Sequence, residues 1–439
     1  MMRTFGRMIC LVMIAGFLGG PGTVGARPLE GIYGLQSGVP IITGRGFVMA
    51  LLGSQPVAHE EIREFQGLLK NFQRELRIAE KLGIPLSRPV RILLLMDTKF
   101  RIPDLWLCFG LTPDESFFKK MEEDIRKVEA ITDNTERDIY QDNLRRNYCL
   151  FSGLPASIGD GDLRIRIEPE EVKTFVGELK TSLDKPITGY GRLYGASAQD
   201  CYSSHQSTVW IQANATRQFH RYQGTIDHEV GHHLFSLLLD RTISKNGLGK
   251  KITIGCMQLL SSFHLTPENE LFADYMVIAN GNTNIIDVFG WKGERISDEQ
   301  KRYFSKDRTL VEFLAESKGN ASTSHFFNEE HNILNPIRTL LWHLKLKLGL
   351  KVVNRMAVAM MEERLKEFFL KDVPSFGHRD QKMMYPGAFS LEKYPSDILT
   401  ANCRVFRCLD RVGQEILTIE QKPVFNEIAK TVMGKYFSQ

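Results

Sequence analysis

Five residues near the middle of the chain constrain its fold more than any others: residues 228–232 read HEVGH, within the longer segment TIDHEVGHHLF at 225–235. On an α-helix, positions four apart project from the same side, so His228 and His232 can direct their imidazole rings at one ion. Glu229 lies one step around the helix, where it can hold a water molecule near that ion and accept its proton. The pattern therefore predicts a helix that carries two ligands of a metal site.

A catalytic metal site on this helix needs a third protein ligand, with one position left for water. A metzincin would place a glycine at 235 and a histidine at 238, but the chain has Phe235 and Leu238 there. The sequence therefore excludes that solution.

A carboxylate on a second helix is the other common solution, and residues 267–275 read PENELFADY. A proline followed by acidic residues is typical of a helix start. Glu270 and Asp274 are four residues apart, hence on one helix face. Glu270 can ligate the metal while Asp274 accepts the free ring N–H of a ligand histidine, which fixes the tautomer of that histidine.

Two other residues compete with Glu270 for the third position. Glu268 is acidic too, but Phe272 stands four residues after it and cannot support a ligand histidine. His264 precedes Pro267 and is expected to lie ahead of the helix. A solvated acidic helix face without any ligand is the remaining interpretation of this segment.

The composition of the chain favours an ordinary globular protein. It has 439 residues, 43% of them hydrophobic and 25% charged, with a formal net charge of +4. This length suffices for two or three domains with sizeable cores. No basic block and no cluster of aromatic residues with arginine is present, so no nucleic-acid partner is expected.

The N-terminus predicts export. Arg3 and Arg7 precede an apolar run at 8–18, and residues 24–26 read VGA, which suits a signal-peptidase site before Arg27. The run is short for a membrane span, so we expect no stable membrane anchor after cleavage and a secreted or periplasmic protein. An uncleaved anchor is the alternative.

The cysteines agree with an oxidising compartment. Six remain after removal of the signal peptide, which allows up to three disulfides. Cys403 and Cys408 lie close enough in sequence to close a small local loop. Free thiols are the alternative interpretation.

The hydrophobic periodicity changes along the chain. Short apolar runs at 47–52, 90–96 and 207–211 predict strands, and helical spacing recurs at 58–83, 114–131 and 168–184. From about residue 224 the chain is expected to be mostly helical, over 225–240, 268–279, 298–316, 331–349, 351–370 and 422–437. The expected organisation is a signal peptide at 1–26, a mixed α/β N-terminal region at 27–200 that alternatively contains a propeptide, a zinc-binding catalytic core at 201–282, and a helical C-terminal lobe at 283–439.

HEVGH followed by NELFAD at 269–274 resembles the HExxH…NExxxD pattern of the thermolysin-like metallopeptidases, the gluzincins. The resemblance implies these roles: Zn²⁺ binding by His228, His232 and Glu270, general-base catalysis by Glu229, and orientation of a ligand histidine by Asp274. It also implies an α+β zincin-like fold of two lobes, with a mixed α/β N-terminal lobe, the motif helix at the floor of the cleft, and a mainly helical C-terminal lobe.

A looser match comes later in the chain. Residues 331–342, HNILNPIRTLLW, are similar to the segment where such enzymes carry a histidine just ahead of an apolar helix. The resemblance implies that His331 donates a hydrogen bond to the developing oxyanion. His325 and Tyr275 are alternatives for this role.

These features together predict an exported zinc-dependent endopeptidase with a peptide or protein substrate. The substrate is expected to lie extended and to pair with an edge strand, for which residues 209–211 are the candidate. Two other hypotheses remain: an exported zinc-binding protein of the same fold without peptidase activity, with a recognition or scaffold role, and an exported interaction domain without metal.

Overall fold

The structure is a computed structural model of the chain. It describes residues 41–52, 69, 72–95, 99–101, 106, 111–112, 114–132, 140, 148, 172–182, 186–188, 201–203, 208–212, 223–247, 265–280, 308–319, 333–372 and 394–438. The predicted signal peptide at 1–26 lies outside these residues.

The strands of the described residues all lie in the first half of the chain. They form a five-stranded sheet in the order β1-β2-β3-β7-β6 and a separate two-stranded sheet of β4 and β5. The strands are β1 (Ile41–Gly44), β2 (Phe47–Leu52), β3 (Val90–Leu95), β4 (Lys99–Arg101), β5 (Pro186–Thr188), β6 (Cys201–Ser203) and β7 (Thr208–Gln212).

The centre of the large sheet is parallel. β2 pairs with β3 and β3 with β7 in parallel, whereas β1 and β6 are antiparallel to their neighbours β2 and β7. Residues 49–52 and 92–94 are buried one after another, because both faces of the sheet are covered. Such strands read as continuous apolar runs rather than as alternating patterns. This explains why the predicted strands at 47–52 and 90–96 are confirmed almost to the residue.

Helices make up most of the described chain. They are α1 (72–81), α2 (Glu115–Glu129), α3 (Val172–Ser182), α4 (Gln223–Lys245), α5 (Thr266–Asn280), α6 (Leu310–Gly319), α7 (Asn335–Leu348), α8 (Leu350–Glu367), α9 (Tyr394–Ile416) and α10 (Gln421–Met433). A π-helical turn at Phe368–Asp372 continues α8, and a 3₁₀ turn at Gly434–Tyr436 follows α10.

The motif helix α4 lies between the sheet and the later helices. It packs on β3, β6 and β7, and it also contacts α5 and α8. One apolar core runs from β2 through α4 and α5 to α10. The predicted mixed α+β class is therefore confirmed, and most of the described residues are helical. In the described part of the chain, no helix combines the length and the apolar character needed to cross a membrane.

The start of α6 differs from the prediction of a helix over 298–316. Residues 308 and 309 are not helical, and α6 begins at Leu310. Thr309 Oγ1 accepts from the backbone N–H of Glu312 at 3.2 Å, while the Glu312 carboxylate accepts from the backbone N–H of Thr309 at 3.0 Å. This reciprocal capping box fixes the helix start, because it satisfies N–H groups that the first turn leaves without helical partners.

Helix α9 was not predicted, although its sequence carries the signal. Its buried residues recur at helical spacing: Ile398, Asn402, Val405, Leu409 and Val412. The expected local loop through Cys403 and Cys408 is wrong. Both cysteines are free thiols on α9. Five residues of α-helix rise about 7.5 Å, which is beyond the usual Cα separation in a disulfide.

Helix α7 offers a test of the core with its own control. Leu344 is fully buried, whereas Leu346 on the same helix is 60% exposed. We expect Leu344→Ala to lower the free energy of unfolding by about 2–5 kcal/mol, because it leaves a cavity. Leu346→Ala should change it by less than about 0.5 kcal/mol. Urea unfolding of both variants measures the difference, and equal effects would contradict the placement of this helix.

The two thiols of α9 can be tested by alkylation. Burial raises the pKa of the Cys408 thiol to about 12, and the charge of Glu367 acts in the same direction. Because only the thiolate reacts, iodoacetamide at pH 8 should leave Cys408 unlabelled in the folded protein. In denaturant without reductant its pKa returns to about 8.5 and both Cys403 and Cys408 should be labelled, as peptide mass spectrometry would detect. A disulfide between them would leave both unlabelled.

Candidate metal centre

The two motif histidines meet on one side of α4. Every residue of this helix from 226 to 235 is buried. The rings of His228 and His232 are 4.6 Å apart between centroids, and their Nε2 atoms are 3.1 Å apart. The helical spacing of the motif thus brings both imidazoles to one point, as the sequence predicts.

Two acceptors on α5 set the tautomers of these histidines. Nδ1 of His228 lies 3.1 Å from Oδ1 of Asp274, and Nδ1 of His232 lies 3.0 Å from Oδ1 of Asn269. A carboxylate and an amide oxygen can only accept, so each Nδ1 carries the donated proton. The two Nε2 atoms then face each other at 3.1 Å, a separation that requires a proton or a metal cation between them, because two lone pairs would repel each other.

Glu270 completes a triangle with the two histidines. Its Oε2 lies 3.2 Å from Nε2 of His228 and 3.5 Å from Nε2 of His232. A tetrahedral ion that holds nitrogen and oxygen ligands at about 2.0–2.1 Å keeps those ligands about 3.3–3.4 Å apart. The three observed separations scatter around that spacing. The donor set and its geometry therefore fit a metal ion bound by three protein atoms.

Glu229 lies beside the same point. It is buried, and one of its carboxylate oxygens and the ligand nitrogens of His228 and His232 all lie within 4.8 Å of one another. His228, Glu229 and His232 therefore form a cluster that could hold a metal ion. Of the two nearby carboxylates, Glu270 has an oxygen whose distances to both nitrogens match the spacing of ligands around a tetrahedral ion.

The carboxylate of Asp274 bridges the site to a distant arginine. Its Oδ2 accepts from Nη1 of Arg338 on α7 at 2.9 Å, and both side chains are buried. Burial by itself lowers the pKa of His228, but hydrogen bonds to Asp274 and Glu270 and the charges of these carboxylates raise it well above its usual value. The pocket thus favours positive charge at the point where the ring nitrogens converge.

Gly231 allows the two helices of the site to approach closely. A Cβ at position 231 would lie 2.5 Å from the Cα of Ala273 on α5. Real Cβ atoms never come so near to a backbone atom, so only glycine fits at this crossing. The close approach brings Glu270 and Asp274 within reach of the histidines on α4.

The structure shows where two of the alternative site residues predicted from the sequence lie. Glu268 pairs with Arg364 of α8 at 2.8 Å, both side chains are buried, and Glu268 is therefore engaged away from the histidines. Tyr275 is buried and donates its hydroxyl hydrogen to Asn354, so it does not serve an oxyanion. His264, His325 and His331 lie outside the described residues.

A third histidine of the motif helix has a structural role. Nε2 of His233 lies 3.2 Å from the carbonyl oxygen of Arg88, just ahead of β3. Burial lowers the pKa of His233 to about 3, and the positive charge of Arg88 adds to this effect. The ring is therefore neutral and donates its Nε2–H to the carbonyl, which anchors α4 to the sheet.

Sequence reasoning gave no role to Asn269 or to Arg338. Asn269 is the first residue of the NExxxD pattern, so its place one residue before Glu270 was a usable signal. Arg338 is 64 residues from its partner Asp274, and no local pattern links the two positions.

The predicted edge strand is wrong. Residues 209–211 belong to β7, which pairs with β3 on one side and with β6 on the other. The backbone groups of β7 are therefore already used within the sheet. Among the described strands, β6 forms this edge and pairs only with β7.

Comparison of the chain with protein-family models, with curated proteins and with solved structures found no match. The interpretation of the site therefore depends on its own residues and their geometry.

The Gly231 contact predicts a metal-binding defect. In Gly231→Ala the new methyl group forces α5 away from α4. The distances from Glu270 and Asp274 to the histidines should therefore become longer. We expect at least about tenfold weaker metal binding and a loss of about 1–3 kcal/mol of stability. Zn²⁺ titration against a chelator and urea unfolding measure these effects.

Gly177 on α3 provides the matched control. It is also a helical glycine, but a Cβ there would meet nothing within 4 Å. Gly177→Ala should leave metal binding unchanged and raise stability by up to about 1 kcal/mol, since alanine favours the helix. If Gly231→Ala bound metal as tightly as this control, the close helix crossing would not be needed for the site.

Proposed function

We propose that this chain is an exported zinc-dependent endopeptidase of the thermolysin-like class. The observation that carries the proposal is the triangle of ligand atoms from His228, His232 and Glu270, with side lengths of 3.1, 3.2 and 3.5 Å. A pair of histidines and a glutamate, with one position left open, is the ligand set of catalytic zinc in this class.

Charge and ligand type support zinc at this point. Imidazole nitrogen suits zinc, whereas calcium and magnesium prefer sites made of oxygen alone. Helix α5 carries three buried carboxylates, of which Glu268 and Asp274 are paired with arginines. Glu270, the third, faces the histidines, and Glu229 adds a second negative charge. A divalent cation balances these two charges.

The arrangement of elements supports a zincin-like fold. The motif helix α4 packs against the sheet, the antiparallel strand β6 lies at the edge of the sheet and contacts α4, and the later helices cover the other side of α4. In the proposed zincin-like fold, the sheet belongs to an α/β lobe and the later helices belong to a helical lobe, with the motif helix between them.

Glu229 is the general base in the proposed reaction. When bound, Zn²⁺ lowers the pKa of a water molecule toward about 7 and polarises the carbonyl group of a peptide bond. Glu229 accepts a proton from the attacking water as its oxygen bonds to the carbonyl carbon. The same carboxyl group then gives the proton to the departing amine nitrogen as the C–N bond breaks.

Neighbouring residues of α5 hold the reacting groups in place. Asp274 and Asn269 accept the Nδ1 protons of the two histidines, so that each Nε2 keeps its lone pair for the metal. Arg338 fixes the Asp274 carboxylate from behind. The resemblance adds His331 as donor to the oxyanion, a role that is typically worth about 3 kcal/mol in such enzymes.

The proposed substrate is an extended peptide. The outer backbone edge of β6 pairs with no strand among the described residues, and β6 packs beside α4. A peptide that added to β6 would form main-chain hydrogen bonds with it and lie beside the motif helix. This replaces residues 209–211 as the site of strand addition.

The general-base role is tested by Glu229→Gln. The amide keeps the shape of the side chain but cannot accept the proton from water. We expect zinc binding within about twofold of wild type and loss of hydrolysis by at least about a hundredfold, since general-base catalysis contributes factors of this size. Digestion of a peptide library, with and without chelator, and zinc content measure the two quantities.

Two further variants make this experiment decisive. Glu270→Gln should lose both zinc and activity, whereas Glu427→Gln, at an exposed position of α10, should lose neither. Full activity of Glu229→Gln would contradict its role as base. A wild-type protein that binds zinc but cleaves no peptide in the library would instead favour a recognition or scaffold function.

A further inference from the structure

The first turn of α5 carries a buried ion pair that the proposed mechanism does not use. Oε1 of Glu268 lies 2.8 Å from Nε of Arg364 on α8. The residues are 5% and 4% exposed, and the Arg364 guanidinium also lies 5.9 Å from the ring centre of Phe368. Both charges are thus removed from water at a position two residues before the metal ligand Glu270.

The helix geometry places this pair directly behind the site. Residues two apart on an α-helix are about 200° apart around its axis, so Glu268 and Glu270 project from nearly opposite sides. Glu268 faces α8, and Glu270 faces the histidines of α4. Asn269, between them, accepts from His232. The rotation of this single turn therefore fixes the positions of two side chains: the metal ligand Glu270 and Asn269, the hydrogen-bond partner of the ligand His232.

Net stability does not explain such a pair. Removing two charges from water costs about as much as their attraction returns, and an apolar pair of similar volume is often as stable. A short hydrogen bond between a carboxylate and a planar guanidinium has a narrow range of allowed geometries. Such a contact therefore permits few rotations of the helix that carries the carboxylate, whereas an apolar contact permits many. An apolar contact would let the turn slide or rotate.

We propose that Glu268 and Arg364 are positioning residues of the metal centre. They fix the rotation of the first turn of α5, so that Glu270 and Asn269 meet the two motif histidines at the observed distances. This inference rests on the proposed function, because it assumes that Glu270 is a ligand.

The test replaces the pair by apolar side chains in the double variant Glu268→Met with Arg364→Met. Co²⁺ serves as the probe, because its visible absorption reports ligand geometry. We expect at least about tenfold weaker Co²⁺ binding and altered absorption bands. The melting temperature of the metal-free protein should stay close to that of wild type.

The control is a second ion pair with a buried arginine. Arg308 and Glu316 are 2.7 Å apart, and neither belongs to α5 or α8. The double variant Arg308→Met with Glu316→Met should keep wild-type Co²⁺ affinity and spectrum. If the Glu268 double variant does not fold, Arg364→Lys keeps the charge without the guanidinium, and we expect it to weaken Co²⁺ binding several-fold with an altered spectrum.

The outcomes separate this inference from the proposed function. If wild type binds Co²⁺ and the Glu268 and Arg364 variants match it in affinity and spectrum, the pair is only structural and the inference is overturned. If wild type and variants differ as expected but Zn²⁺-loaded wild type cleaves no peptide, the positioning role stands and the peptidase function fails. If wild type binds neither Co²⁺ nor Zn²⁺, both fail.

Discussion

The close crossing of α4 and α5 at Gly231 and Ala273 is the contact on which the site depends. The proposed metal centre takes two ligands from one helix and the third from another, so the two backbones must come near enough for a glutamate side chain to reach the histidines. A side chain at 231 would collide with the backbone of α5. The glycine of the motif is therefore as necessary for the geometry as the histidines on either side of it.

Buried charge is the second constraint. Helix α5 places Glu268, Glu270 and Asp274 in the interior, where unpaired charges cost several kcal/mol each. Helices α7 and α8 each supply one arginine, and these arginines pair with Asp274 and Glu268. Glu270 is turned toward the histidines instead. The helices of the second half thus hold α5 through two buried ion pairs, while Glu270 and Glu229 lie beside the histidines.

Helices and strands were predicted correctly where their sequence pattern has a short-range physical cause. The apolar runs of β2 and β3 and the helical spacing of α4 and α5 have short-range physical causes, namely burial on both faces and packing along a helix. Helix α9 was not predicted, although the apolar residues around Cys403 and Cys408 recur at helical intervals. The start of α6 was misplaced because the capping box of Thr309 and Glu312 was not recognised. The edge strand was misassigned because an apolar strand sequence does not state which neighbours will pair with it.

The sequence by itself determined the spacing of His228 and His232 on one helix face and the shared face of Glu270 and Asp274, because these depend only on the geometry of an α-helix. The tertiary structure decided which acidic residue of α5 faces the histidines and which is paired elsewhere. Glu268 and Glu270 have the same chemistry, and only the packing of α5 between α4 and α8 distinguishes them. Arg338 and Arg364 are 64 and 96 residues from their partners, so their roles arise from how the helices cross and not from any local pattern.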